Sequence, residues 1–148
     1  MTEKKIVYRS EFIKIRFSKE VSIHVLRGRF KRVPTVEDID DMVISIFDFI
    51  SKTEERVAIF LGSKMDHGIL SLEHLLCIAK HAIHHKSLIR HKVIGTKLLL
   101  NSEMTSTFQL LLDMFKRVYT PIRPFMITDN ATDSQDFETM LLKEVVNG

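Results

Sequence analysis

The chain has 148 residues, 45% of them hydrophobic and 28% charged, with 22 Lys/Arg against 19 Asp/Glu and a formal net charge of +3. That size and balance indicate one globular domain over residues 1–148, large enough for a single core without a disulfide or a structural metal. A lone cysteine, Cys77, excludes an internal disulfide, and neither an apolar signal run nor an apolar stretch of ~18 residues occurs, so the expectation is a cytoplasmic protein without membrane insertion.

The charge is segregated along the chain. Residues 1–32 hold ten Lys/Arg against three Glu, residues 33–60 two against seven acids, residues 61–100 six against two, and residues 101–148 four against seven. The early basic residues alternate (Lys14 and Arg16; Arg27, Arg29 and Lys31), as the wet face of a strand pair would require. A solvated sheet face is therefore the plain reading, and a surface for nucleic acid or an acidic partner the sharper one.

Short alternating runs at Ile6–Tyr8, Phe12–Phe17 and 21–26 predict three strands, the later two an antiparallel hairpin with Ile13, Ile15 and Phe17 or their alternates turned inward. Thr35 with Asp38 three residues on marks a helix start, and Val36, Ile39, Val43, Ile46, Phe47 and Ile50 give one apolar face to about Lys52. Glu37, Asp40, Asp41 and Asp48 lie opposite, and Ile44 and Phe49 stand beside the main face. The continuous apolar run 56–61 predicts a strand covered on both faces, followed by the glycine-bounded loop 62–68.

A second helix follows with Leu72, Leu75, Leu76, Ala79, Ala82 and Ile83 on its apolar face, ending in a basic turn over 86–92. Residues 92–128 then read as strand, helix, strand: strand 93–100, helix 103–118 with Met104, Phe108, Leu111, Leu112 and Phe115 inward, and strand 122–128. A connection of this kind makes the two strands parallel. Leu110 and Met114 widen that helix's face as Ile44 and Phe49 widen the first, which suits either a broad core or a homodimer contact. A C-terminal helix carries Phe137, Met140, Leu141, Glu144 and Val145. The fold class is thus α/β, a mixed sheet with N-terminal antiparallel strands followed by alternating helices and parallel strands.

This order, with Leu110 to Thr128 and the acidic stretch to Phe137 as its nearest local likeness, resembles the STAS domain, the anti-sigma-factor-antagonist-like fold. The resemblance implies an interaction role. It also implies a regulatory loop after the strand over 57–61, where switch proteins of the family carry Asp-Ser-Ser/Thr-Gly with a phosphorylated hydroxyl. Here the segment is Asp66-His67-Gly68: Asp and Gly stand, and His67 replaces the acceptor. Ser63 and Ser71 flank it, near a helix N-terminus that welcomes phosphate, although Ser71 serves more simply as an N-cap.

His74, Cys77, His81 and His85 are spaced to form one helical stripe of zinc- or nickel-type ligands, with His81 and His85 the best pair. The stripe is expected on the wet side, away from the leucine face, so no metal or other cofactor is called for. Cys77 is mid-helix rather than at an activating N-terminus. The loop 62–68 lacks the P-loop pattern, and the pairs Asp40/Asp41 and Glu54/Glu55 sit at exposed positions, so no enzyme is expected. The expected function is a non-enzymatic regulatory or interaction domain that binds a protein partner, a second copy included, through Ser63, Asp66, His67, Gly68 and Ser71 and the helix behind them. Alternatives are a small-ligand or lipid module with its pocket between sheet and helices, and nucleic-acid binding through Lys14, Arg16, Arg27, Arg29 and Lys31.

Overall fold

The structure is a computed structural model and describes residues 5–20, 23–64, 70–99, 125–128 and 136–143. Six strands form one sheet: β1 (Lys5–Arg9), β2 (Lys14–Glu20), β3 (Ile23–Phe30), β4 (Val57–Ser63), β5 (Val93–Leu99) and β6 (Phe125–Thr128). Their order across the sheet is their order in the sequence. β2 runs antiparallel to both β1 and β3, and β4, β5 and β6 continue in parallel with β3. Between strands lie α1 (Val36–Lys52), α2 (Leu72–His84) and the short α3 (Lys86–Lys92); residues 136–143 form α4.

The sheet is covered on both sides. On one face Ile13, Ile15, Leu26, Phe30, Val57, Ile59, Leu61 and Leu98 pack against Ile39, Met42, Val43, Ile46, Phe47 and Ile50 of α1 and Leu75, Ile78, Ala79 and Ala82 of α2. On the other, Ile23, Val25, Ala58, Phe60 and Ile94 meet Leu141 of α4, with Phe137 and Leu142 alongside. This explains why every residue of β4 is buried: the central strand faces apolar matter both ways. A Cβ at Gly95 would overlap Leu141 Cδ2, so glycine is what lets α4 sit directly on β5.

α1 begins as its sequence requires. Asp38 N–H donates to Thr35 Oγ1 (3.1 Å) and Thr35 N–H to Asp38 Oδ2 (2.9 Å), a reciprocal capping box. Tyr8 Oη donates to Asp41 Oδ2 at 2.7 Å and ties β1 to this helix. Burial, and then that carboxylate, push the Tyr8 hydroxyl up to about 12.

Three expectations need correction. β4 runs on through Gly62 and Ser63, so the loop begins two residues later than the glycine suggested. The basic turn expected over 86–92 is a helix of its own, α3. The largest change is at α2, whose inward face is His74, Leu75, Ile78, Ala79 and Ala82, while Leu76 and Ile83 are exposed. The histidine stripe therefore turns toward α1 rather than into water. Ile44 is exposed, as its place beside the main face required, whereas Phe49 packs edge-on to Phe17. The helix expected over 103–118, with Leu110 and Met114, lies outside the described residues. The strands on either side of it, β5 and β6, pair in parallel as expected.

Candidate functional site

Period-two alternation sends Lys14, Arg16, Ser18 and Glu20 of β2, and Arg27 and Arg29 of β3, to the α4 side of the sheet. α4 covers the middle strands on that side. Nearer the β1 edge these side chains line an open groove of about 460 Å³ together with Lys31 and Lys64. Lys64 arrives from a distant part of the chain: β4 pairs in parallel with β3, and Lys64 N–H donates to Phe30 O (2.9 Å), which sets it beside Lys31.

The register places like charges directly across from each other, Arg9 opposite Lys14 and Arg16 opposite Arg27. Among the described residues, only Arg27 of these has carboxylate partners. Its Nε and Nη2 donate to Glu20 (3.1 and 2.6 Å), Nη2 also donates to Glu138 of α4, and the guanidinium lies 5.2 Å over the Phe60 ring. Burial works to lower the Arg27 pKa, but the hydrogen bonds it donates to the two carboxylates outweigh it and raise it. Lys97 Nζ completes the group, donating to Glu138 Oε2 at 3.0 Å over the same ring.

Lys14, Arg16, Arg29, Lys31 and Lys64 have no carboxylate partner among the described residues. The crowding is visible in Lys14, whose pKa is lowered first by the charge of Arg9, then by Arg16, with Lys31 and Lys64 adding to it. Lys14, Arg16, Arg27, Arg29 and Lys31 are thus brought together as their alternation suggested. Arg9 and Lys64 were missed. Neither had a signal: the register shift between Ile6 and Tyr8 sets the face of Arg9, and the place of Lys64 depends on parallel pairing.

The sites expected on α2 distribute differently. Ser63 closes β4 and is buried. Ser71 is the N-cap of α2, its N–H donating to His74 Nδ1 at 3.0 Å. With Nδ1 accepting, His74 donates from Nε2 to Pro34 O (2.7 Å), a buried clasp between the helix start and the segment before α1. Asp66, His67 and Gly68 lie outside the described residues. His85 stacks on Phe47 with ring centres 4.7 Å apart, so the expected pair with His81 gives way to another set. His81 Nε2 donates to Asp40 Oδ1 of α1 (2.6 Å), and Cys77 Sγ lies 3.8 Å from the same oxygen. Burial, and then the Asp40 charge, push the Cys77 thiol up.

Among the described residues no helix is long and apolar enough to cross a membrane. No known protein family, curated protein or solved structure matches the chain.

Proposed function

We propose that this chain is a non-enzymatic binding domain, that its contact surface is the basic face of β1–β3, and that the occupant is the sugar–phosphate backbone of a nucleic acid. One observation carries the reading: like charges stand opposite each other across strands, with five cations around one groove that have no carboxylate partner among the described residues. Like charges directly opposite in a sheet destabilise it. A face that only needs hydration is better served by interspersed signs. A polyanion with regularly spaced charges removes the repulsion and gains counterion release.

The groove is open, and the residues that line it include no aromatic ring on which a base would stack. The contacts are therefore to phosphates, which position a strand without reading its sequence. The protein-contact reading through 62–68 depends on Asp66, His67 and Gly68 and gains no support from Ser63, which is buried in the sheet.

Fluorescence anisotropy with labelled single-stranded and duplex oligonucleotides tests the proposal. Binding is expected to weaken with salt, log K falling with log [salt] by about 0.7–0.9 for each phosphate held. Arg16→Glu/Arg29→Glu is expected to abolish it, while Lys52→Glu/Lys86→Glu, of equal net charge, leaves it intact. No binding at about 50 mM salt, where phosphate contacts are strongest, or equal losses in both variants, overturns it.

A further inference from the structure

We propose that Asp40, Cys77 and His81 form a site for a zinc-class divalent cation that pins α1 to α2. Cys77 and His81 are four residues apart and share one face of α2. Asp40 reaches them from α1. The three donor atoms lie within 4.8 Å of one another, with Asp40 Oδ1 2.6 Å from His81 Nε2 and 3.8 Å from Cys77 Sγ. A tetrahedral ion with bonds of about 2.0–2.3 Å requires ligand atoms about 3.3–3.8 Å apart. The cluster is within a small side-chain adjustment of that, the His81–Asp40 hydrogen bond opening as the ion replaces its proton.

The donor types choose the metal. A thiolate with an imidazole and one carboxylate suits zinc and its neighbours and does not suit calcium or magnesium, which want oxygen. The site lies in a groove of about 350 Å³, also lined by Glu37, Glu73 and Lys80. Three carboxylates against one ammonium favour a dication there, and the opening leaves a fourth position for water or Glu73. The other members of the stripe are occupied elsewhere, His74 with Pro34 and His85 with Phe47. A plain hydrogen bond between helices would account for Asp40 and His81. The Cys77 thiol adds a weak hydrogen bond to the same oxygen, so all three donor groups already converge on the point an ion would take.

The test is titration of the full chain, after chelator treatment, with Co²⁺ alone and then with Zn²⁺. Expected are a thiolate-to-cobalt charge-transfer absorption and intense tetrahedral ligand-field bands that saturate at one equivalent and are bleached by Zn²⁺. Cys77→Ser should abolish the charge-transfer band, Asp40→Asn should weaken Zn²⁺ binding by at least about tenfold, and His85→Gln should change neither. A cobalt spectrum that stays octahedral and lacks charge transfer in the wild-type chain overturns the site. So does a charge-transfer band that survives Cys77→Ser.

Discussion

Single residues show where sequence reasoning and packing part. On α2 the leucines suggested one face, and the helix settles on another, rotated toward His74 and Ile78. The reason is that a buried imidazole with both nitrogens bonded carries little penalty, so His74 is free to occupy the core. Exposed leucines carry little penalty either, since burial of apolar residues is a one-way rule. Thr96 is the opposite case: it is buried on the α1 face beside a cavity of about 30 Å³ lined by Met42, Ile59 and Ile78, and its Oγ1 has no hydrogen-bond partner among the described residues. Thr96→Val keeps the shape and removes the unsatisfied hydroxyl. It is expected to raise unfolding stability by about 1–2 kcal/mol, measured by urea denaturation; unchanged or lower stability counts against the account.

Elements were legible in proportion to how locally they are specified. α1 was, because its cap (Thr35 and Asp38) and its apolar face lie within 17 residues. β4 was, because a strand buried on both sides has no polar position. The surroundings of the basic strands were only half legible: alternation gives a face, but among the described residues it is α4 that covers the middle strands and leaves the groove nearer the β1 edge open. Nor did any sequence signal bring Asp40 to Cys77 and His81, since helix–helix packing alone does so.

α4 is held by charge as well as by Leu141. Burial tends to raise the Glu138 carboxyl, but hydrogen bonds from Arg27 and Lys97, reinforced by their charges, hold it below its ordinary value of 4.5. A carboxyl lowered in the folded state contributes stability that is whole above that ordinary value and is lost as pH falls through the folded one. Glu138→Gln is expected to cost about 1.5–3 kcal/mol at pH 7. Its stability should also decline less than that of the wild-type chain as pH is taken from 5 toward 3. Parallel pH profiles in chemical denaturation would show that Glu138 is not the group involved.

At the scale of the whole molecule, strand order is the governing fact. Each strand pairs with its neighbour in sequence, through short connections within β1–β3 and through long crossovers from β3 onward. Among the described residues the longest reach belongs to α4, where Glu138 meets Arg27 across 111 positions and Leu141 packs on Ile23 and Val25. Contacts of that span are expected to form after the rate-limiting step. Leu141→Ala should therefore speed unfolding and leave the folding rate nearly unchanged, whereas Ile39→Val, in the α1 core, should slow folding. Stopped-flow chevrons decide the matter, and a slowed folding arm for Leu141→Ala refutes it.

The same ordering bears on synthesis. A chain whose strands are added in the order they leave the ribosome presents β1–β3, and with them the whole basic face except Lys64, before β4 has emerged. Until α4 arrives, Arg27 lacks one of its two carboxylates. In that interval the charge of Arg27 is offset by Glu20 alone and less fully than in the finished domain. Docking of α4 is then also the event that completes the neutralisation of Arg27.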